Sequence, residues 1–331
     1  MTQLRYDVLC IGNAIVDVLA DADDGFLSKQ GLDKGSMRLI DEEEAVRLYA
    51  EMGPGREISG GSAGNTAAGL AAFGIRAAFV GQVADDQLGK IYRHDIEAQG
   101  IDFLVPARTD VGATARSLIL VTPDAQRTMN TFLGAAQLLE KDSVDLAAVA
   151  DSGIIYLEGY LWDPAAPRAA MEAAIEAAHA AGRKVAFTLS DTFCVHRHRD
   201  GFWQLLRDGK IDILFANEAE AAAMAKVNDV EEAIPALSPY VGTLVVTRSE
   251  DGATAVSGGE RADVPAEPIE RLVDTTGAGD LFAAGFLAGQ ARSLGLEASL
   301  KLGAIAAAEV IQHYGARPEK DLRALAGDLL R

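Results

Sequence analysis

Residues 274–287 read DTTGAGDLFAAGFL, with Gly277, Ala278 and Gly279 placed directly before Asp280 and an apolar helical pattern. Small residues let a backbone turn sharply and approach a ligand closely. A helix N-terminus adds unpaired N–H groups and about half of a positive charge. The stretch therefore predicts an anion-binding turn with a carboxylate at its edge. Because a carboxylate beside a bound anion is unfavourable, we expect Asp280 to take part in chemistry.

Composition indicates a globular protein that does not bind nucleic acid. The chain has 331 residues, of which 24% are charged and 49% hydrophobic, and its formal net charge is −19. Nucleic acid needs a basic surface, whereas a small anionic ligand needs only a locally positive pocket. Cys10 and Cys194 lie far apart, which argues against a disulfide scaffold or a structural zinc site and fits a reducing compartment. With no run of about 20 apolar residues and no signal-peptide pattern, we expect a cytoplasmic protein without a membrane partner.

Alternating apolar runs and alanine-rich stretches predict an α/β fold with a mainly parallel central sheet and helices on both faces. The helical stretch 167–182 has Pro167 suited to a first turn and Gly182 suited to a stop. Two closing helices follow residue 280, and the second is expected to end at Gly315. The candidate strands are 7–12, 76–81, 153–159, 184–190, 211–217 and 243–248.

Two segments, residues 15–40 and 103–132, do not follow this alternation. The second contains the runs ATARSLILVT and RTMNTF on either side of PDAQ, which predicts a β-hairpin around a Pro-Asp turn. We interpret both segments as a small antiparallel β lid inserted into a single domain that spans residues 1–331.

Two common nucleotide-binding patterns are missing. The sequence has no GxxxxGK[ST] motif, and Phe282 stands where the third glycine of a GxGxxG motif would follow Gly277 and Gly279. A nicotinamide-dependent oxidoreductase is therefore disfavoured. His196 and His198 form an H-x-H pair, but the charged stretch around them favours a solvated loop over a metal site.

Three further stretches each allow a structural and a functional interpretation. Residues 58–74 place Asn65 after a glycine-rich turn, which is typical of a tight turn before a packed helix or of a polyhydroxylated ligand's site. Residues 11–17 put Asn13 and Asp17 at a strand end, where open α/β sheets bind ligands, although a surface aspartate is an equal alternative. In ANEAE, Asn217 and Glu220 suit helix capping.

Together these four motifs, in this order, resemble the PfkB (ribokinase-like) carbohydrate kinase family over nearly the whole chain. DTTGAGDLFAAGFL is similar to the family's C-terminal signature and GGSAGNTAAGLAAFG to its N-terminal one. Ser62 in GGSAGN, together with GNAIVD, RTMNTFLGA and ANEAE, most resembles the adenosine kinase branch.

The resemblance implies roles for individual residues. Asp280 would be the general base, and the amides of Gly277, Ala278 and Gly279 would form the anion hole. Asn217 and Glu220 would organise Mg²⁺ and phosphate through water. The residues implied for holding the sugar hydroxyls are Asn13, Asp17, Gly61, Ser62 and Asn65.

The remaining implied positions lie in the lid and near the nucleotide. Arg127, at the hairpin turn, would reach a transferring phosphate, and Gly112 and Thr114 would line the inner face of the lid. TRSEDG replaces the commoner Thr-x-Gly of the family at the nucleotide contact. The implied nucleotide contacts are Thr247 and Gly252, and the implied ligands of a monovalent cation such as K⁺ are Asp274 and Thr276.

From the resemblance we expect a kinase of purine salvage that moves the γ-phosphate of ATP to the primary 5′-hydroxyl of adenosine. A kinase for a free sugar such as ribose or fructose is the alternative, followed by a non-catalytic nucleoside- or sugar-binding protein. A nucleoside kinase would need an aromatic wall for the base, and we expect a monomer or a homodimer. The candidate wall residues are Phe132, Tyr160 and Phe193.

Overall fold

The computed structural model describes residues 4–124 and 126–330. Fourteen strands are formed among them, all from short apolar or alternating runs. They are β1 (Tyr6–Ile11), β2 (Ile15–Asp21), β3 (Met37–Leu39), β4 (Arg56–Ser59), β5 (Ala77–Val80), β6 (Asp102–Phe103), β7 (Ala115–Val121), β8 (Arg127–Phe132), β9 (Ser152–Glu158), β10 (Lys184–Thr188), β11 (Ile213–Asn217), β12 (Thr243–Thr247), β13 (Ala253–Ser257) and β14 (Glu260–Val264).

Twelve α-helices accompany these strands in the described part of the chain. They are α1 (Asp24–Gln30), α2 (Glu42–Glu51), α3 (Ser62–Ala72), α4 (Gln87–Ala98), α5 (Leu146–Ala150), α6 (Ala165–Ala180), α7 (Thr192–Arg207), α8 (Glu218–Ala225), α9 (Val230–Leu237), α10 (Ala278–Ala291), α11 (Leu296–Val310) and α12 (Leu322–Ala326). All six predicted strands and the helix predicted over 167–182 are confirmed.

The main sheet has nine strands in the order β14-β13-β12-β11-β10-β9-β1-β5-β6. Strands from β12 to β6 in this order run parallel, and β13 and β14 complete an antiparallel meander at one edge. Successive residues of β1 alternate between two apolar cores: Val8 and Cys10 pack with α3, α10 and α11, whereas Leu9 and Ile11 pack with α6 and α7. The predicted α/β fold with helices on both faces is confirmed.

The second sheet is mixed, which corrects the expectation of an antiparallel lid. Its five strands run β3-β8-β7-β2-β4; the pair β2–β4 is antiparallel, and the hairpin β7–β8 is antiparallel as its short connection requires. The pairs β2–β7 and β3–β8 are parallel. Because the main-sheet strand β5 separates β2 from β7 in the chain, both strands can enter the lid in the same direction.

Two local expectations were also wrong. Helix α11 ends at Val310, five residues before Gly315, because the carbonyl of Ile311 accepts hydrogen bonds from the amides of Val273 and Asp274 instead of continuing the helix. His196 and His198 lie within helix α7 and not in a loop. No cluster of three His, Cys, Asp or Glu side chains that could hold a metal ion occurs among residues 4–124 and 126–330.

Glycines set how closely the helices that carry the site approach each other. A Cβ at Gly69 of α3 would lie 2.6 Å from the Cβ of Ala284 in α10, and one at Gly285 would lie 2.3 Å from the carbonyl oxygen of Leu302 in α11. Both distances are shorter than any tolerated contact, so the α3 backbone packs directly on the Ala284 side chain of α10, and the backbones of α10 and α11 pack on each other. In the described part of the chain, no helix is long and apolar enough to cross a membrane.

Replacing Gly285 by alanine tests this packing. The new methyl group would meet the backbone of Leu302 and Gly303, which cannot move aside as a flexible side chain would. We expect Gly285→Ala to lower the free energy of unfolding, measured by urea denaturation, by about 1–3 kcal/mol. Gly295→Ala is the control, because that position has φ −66° and nothing within 4 Å of the added Cβ. Equal stability of the two variants would contradict the packing argument.

Candidate active site

Asp280 lies in the first turn of α10, directly after the glycine turn that the sequence singled out. Gly277 precedes the helix with φ +79°, a left-handed conformation that favours glycine. A Cβ at this position would also lie 2.5 Å from the Cβ of Ala316. Both the backbone conformation and the close approach of residue 316 therefore require glycine here.

The carboxylate of Asp280 is held by two side chains from the first turn of α3. Ser62 Oγ donates to Asp280 Oδ1 at 2.6 Å, and Asn65 Nδ2 donates to Asp280 Oδ2 at 2.9 Å. Burial raises the pKa of Asp280 above its ordinary value, while these two hydrogen bonds and the charge of Arg317 act against that rise. The result is an oriented carboxylate at the meeting point of two helix N-termini.

Two of the three amides predicted for the anion hole are free to donate. Ala278 N already donates to the carbonyl oxygen of Thr275 at 3.2 Å, whereas Gly277 N and Gly279 N have no acceptor among the residues the structure describes. Gly279 is exposed, and an added Cβ there would meet nothing within 4 Å. Open space over free amides beside Asp280 suits a bound anion.

The turn before α3 is equally crowded against the end of β1 and the start of β2. Gly61 has φ +80°, and a Cβ there would lie 2.3 Å from the carbonyl oxygen of Asn13. At Gly60 a Cβ would lie 2.4 Å from Asp17 Oδ2. The glycines thus let the first turn of α3 approach both residues predicted to bind the substrate.

Asp17 lies in β2 on the lid face that points towards Asp280. Burial raises the pKa of Asp17 to about 7, with Arg317 and Arg127 opposing and Asp280 and Asp274 reinforcing the rise. Cross-strand neighbours share a face of a sheet, and the register pairs Asp17 with Ser117 and Ser117 with Thr131. The same face carries Leu19, Ile119 and Met129.

Sequence analysis missed this inner face and named two other lid residues. Gly112 is exposed near Glu42, outside the strands of the lid. Thr114 is buried, and its hydroxyl donates to Asp86 Oδ1 at 2.7 Å and accepts from Ala84 N at 3.0 Å. These contacts give Thr114 a structural role at the base of β7 and do not place it on the inner face. The alternation of IVDVLAD in β2 was the sequence signal for the face.

Glu158 is a central residue of the site that sequence analysis did not select. Its side chain, 1% exposed, accepts hydrogen bonds from Asn13 N and Asn13 Nδ2, both at 2.7 Å, and from Ala63 N at 2.8 Å. It therefore ties β9 to β1 and to the first turn of α3. Burial raises the pKa of Glu158 to about 7, although its hydrogen bonds act in the opposite direction.

Arg317 is the second residue that was missed, and it comes from the C-terminal segment. Its guanidinium donates to the carbonyl oxygens of Ser59 and Gly64, on either side of the glycine turn. Its charge also opposes the rise that burial causes in the pKa of Asp17 and of Asp280. An arginine in a loop more than 30 residues after Asp280 carried no sequence signal for this contact.

Arg127 joins the lid to the turn that precedes α10. Its Nη2 lies 2.6 Å from Asp274 Oδ2, and its Nη1 donates to Thr276 Oγ1 at 3.2 Å. Thr276 in turn donates its amide and its hydroxyl to Asp274 Oδ1, at 3.1 and 2.8 Å. The structure therefore brings Arg127, Asp274 and Thr276 together, next to the free amides.

Asn217 and Glu220 form a capping box at the start of α8. Asn217 Oδ1 accepts from Glu220 N at 2.8 Å, and Glu220 Oε2 accepts from Asn217 N at 3.0 Å. This is the structural alternative that the sequence left open. Burial raises the pKa of Glu220 to about 7. Thr247 lies beside Asn217, since the two residues pair at the carboxyl ends of β12 and β11.

The local packing of its turn explains why residue 252 is a glycine. It has φ +88° and a Cβ there would lie 2.0 Å from the carbonyl oxygen of Val264, so the turn between β12 and β13 requires glycine. Its contact with a nucleotide stays a prediction.

The three aromatic candidates differ in position. Phe132 pairs with Arg116 on the lid face opposite Asp17, which removes it from the wall. Tyr160 and Phe193 follow β9 and β10 and are 38% and 58% exposed. Tyr160 Oη donates to the carbonyl oxygen of Ser190 at 3.3 Å, so the two aromatic segments adjoin each other. Of the three candidates, Tyr160 and Phe193 therefore remain available for a base pocket at the carboxyl edge of the sheet.

Comparison with known proteins adds an independent finding. The pfkB family carbohydrate kinase pattern matches residues 35–322. The structure of the adenosine kinase from Sinorhizobium meliloti is 51% identical, covers 97% of this chain and 98% of its own, and superposes with a TM-score of 0.91. A "probable sugar kinase protein" from Rhizobium etli CFN 42 is 48% identical over 98% of both chains, with a TM-score of 0.92. Adenosine kinase from Saccharomyces cerevisiae is 28% identical over 93% of this chain and 95% of its own.

The role of Glu158 is tested by Glu158→Gln. The amide nitrogen of glutamine would face the amide of Ala63, which leaves a buried donor without an acceptor and is expected to cost about 1–3 kcal/mol of unfolding free energy.

Since the pKa of Glu158 is about 7 in the folded chain against an ordinary 4.5, the folded state binds more protons between these values, and this residue makes stability fall as pH rises. The difference in unfolding free energy between the unsubstituted protein and Glu158→Gln should therefore shrink as pH rises from 4.5 to about 7. Urea denaturation at several pH values measures it, and an advantage that grows with pH would contradict the raised pKa.

Proposed function

Because the chain belongs to the pfkB family of carbohydrate kinases, and so is a kinase acting on an alcohol group, we propose that it transfers the γ-phosphate of ATP to the 5′-hydroxyl of adenosine. The observation that carries the proposal is the carboxylate of Asp280, fixed by Ser62 and Asn65 beside the free amides of Gly277 and Gly279. A base and an anion site in contact are the two parts that phosphoryl transfer to a hydroxyl requires.

In the proposed reaction, the oxygen of the acceptor hydroxyl forms a bond to the γ-phosphorus while the bond from that phosphorus to the β,γ-bridging oxygen breaks. Asp280 accepts the hydroxyl proton, and ADP leaves with the bridging oxygen. Because burial raises the pKa of Asp280, the carboxylate is a stronger base than an exposed aspartate. The amides of Gly277 and Gly279 would stabilise the charge that develops on the transferred group.

The acceptor would be held by Asn13, Asp17, Gly61, Ser62 and Asn65. Asn65 Oδ1 is buried and has no hydrogen-bond partner among the described residues, so a substrate hydroxyl that donates to it would satisfy an otherwise costly group. Asp17 can accept two hydrogen bonds from a neighbouring pair of hydroxyls. A ribose or another sugar offers such donors.

The phosphate side would use Arg127 together with the amides. Arg127 Nε is a buried donor that makes no hydrogen bond within the described chain, whereas Nη2 is ion-paired with Asp274. Nε remains available to a phosphate oxygen. Ala278 is less suited to the anion hole, because its amide is already used.

Magnesium fits this site as an ion brought with ATP. Mg²⁺ usually keeps several waters and is held by one or two carboxylates and by substrate phosphates. The buried carboxylate of Glu220 suits an indirect role through water, since Asn217 already donates to both of its oxygens. When bound, the ion supplies positive charge for the phosphate oxygens.

Adenosine is favoured over a free sugar by the apolar part of the lid. Leu19 and Met129 share the inner face with Asp17 and are partly exposed, and Tyr160 and Phe193 are exposed at the sheet edge nearby. A purine base would cover such surface, whereas a free sugar would leave it in water. The sequence relatives named adenosine kinase support the same acceptor, and the Rhizobium etli protein keeps a sugar as the second candidate.

Turnover of the purified protein tests the acceptor and the base together. ADP release from Mg²⁺-ATP is measured with adenosine, inosine, ribose and fructose at equal concentration. We expect adenosine to stimulate it most, and Asp280→Asn to lower kcat about 10²–10⁴-fold because a positioned base is lost. Asp142→Asn is the matched control, because Asp142 is exposed and lies outside both lid segments and the site motifs. Turnover with ribose or fructose but not with adenosine would contradict adenosine as the acceptor. Unchanged turnover in Asp280→Asn would contradict the assignment of Asp280 as the general base.

Asp17→Asn separates binding from chemistry. Loss of the charged acceptor should raise KM for adenosine by about 10–100-fold, while kcat changes much less, because the residue contacts the sugar and not the transferred phosphate. With the pKa of Asp17 at about 7, kcat/KM should rise with pH through that value in the unsubstituted protein. The rise should be smaller in Asp17→Asn, because of the buried carboxylates with a pKa of about 7 only Glu158 and Glu220 still titrate in that variant. A loss confined to kcat would contradict this role.

A further inference from the structure

The ion pair between Arg127 and Asp274 differs from the surface pairs of the molecule in its burial. The Arg127 side chain is 8% exposed and that of Asp274 is 5% exposed. Taking two charges out of water is costly unless both are well paired. One partner begins strand β8 of the lid, and the other precedes the glycine turn of α10, so the pair joins two separate parts of the site.

The carboxylate of Asp274 has no acceptor capacity left for another ligand. Oδ1 accepts from Thr276 N and Thr276 Oγ1, at 3.1 and 2.8 Å. Oδ2 accepts from Gly315 N at 3.0 Å and faces Arg127 Nη2 at 2.6 Å. Of the about four lone-pair sites that a carboxylate offers, three accept hydrogen bonds, and the remaining side of Oδ2 faces the Arg127 guanidinium as an ion pair.

The residues present therefore do not fit the monovalent cation that the family resemblance implies at Asp274 and Thr276. A cation needs oxygen lone pairs directed towards it, whereas here a guanidinium and three N–H or O–H donors fill them. Thr276 Oγ1 is also used, as a donor to Asp274 and an acceptor from Arg127.

Arg127 itself has the charge and the contacts that such a cation would provide. It neutralises Asp274, contacts Thr276, and lies over the ring of Tyr314 with its Cζ 5.7 Å from the ring centroid. It thereby links the turn at 274–276 to the segment 311–317, whose residues Gly315 and Arg317 hold Asp274 and the glycine turn before α3.

We propose that Arg127 replaces the monovalent cation at Asp274 and positions the anion-binding turn, so that this protein needs no monovalent cation. Because the replacing charge is attached to the lid, the turn is held in this arrangement only while the lid lies over the site. Arg127 is in this respect a positioning residue for Gly277 and Gly279, in addition to its proposed contact with phosphate.

The test compares thermal unfolding and turnover in potassium, sodium and choline chloride at equal ionic strength. For the unsubstituted protein we expect midpoints within about 1 °C of one another and kcat within about twofold. Arg127→Met should lower the midpoint in choline by about 5 °C, since it leaves a buried carboxylate unpaired. Potassium should restore at least about half of that loss, and Arg127→Lys, which keeps a charge, should show a smaller response.

The double variant Arg127→Met/Asp274→Asn is the matched control. It lacks both charges, so its midpoint should not respond to potassium. A more than fivefold activation of the unsubstituted protein by potassium, no potassium response in Arg127→Met, or an equal response in the double variant would each overturn the proposal. If Arg127→Met does not fold, the unsubstituted protein alone provides the test: activation by potassium overturns the proposal, and equal kcat in the three salts supports it. The unfolding measurement needs no acceptor, so a failure of adenosine as the substrate leaves it valid.

Discussion

The close approach of helices α3 and α10 is the constraint on which the rest of the site depends. Gly69 allows it, because a side chain there would overlap Ala284 and Leu281 of α10. With the two helix axes this close, Ser62 and Asn65 at the start of one helix reach Asp280 at the start of the other. Two helix N-termini, each with unpaired N–H groups, then face the same small volume. The base and the anion site are thus products of one packing contact.

A second feature is the concentration of carboxylates behind this contact. Asp17, Glu158 and Glu220 are each held at a pKa of about 7, mainly by burial. Burying them costs stability, which hydrogen bonds from backbone amides partly offset at Glu158 and Glu220. At Asp17 the charges of Arg317 and Arg127 act in the same sense. Both arginines come from segments that lie far from Asp17 in the chain.

The composition of the lid segments did not show which side chains lie on the same face as Asp17. The hairpin β7–β8 was predicted and residues 15–40 were assigned to the lid, but the bounds and partners of β2 were not, because nothing local decides whether β2 pairs with β7 in a parallel or an antiparallel direction. The register then decides which side chains accompany Asp17. Shifting a strand by one residue exchanges its two faces, so the sequence did not show that Ser117 and Thr131 lie on the same face as Asp17. The unexpected β4 joins β2 on the other side.

The sequence by itself determined the alternating strands and helices, the glycine turns and the position of Asp280, since these follow from local periodicity and from the backbone freedom of glycine. The sequence also indicated the family, because each of the four motifs that resemble it is a short contiguous stretch. Only the tertiary structure decided that Glu158 and Arg317 support the site and that Arg127 pairs with Asp274. These contacts join residues separated by 95 to 258 positions, or by 147 in the case of the ion pair. No local pattern records such a contact, because burial and pairing arise only when distant segments pack together.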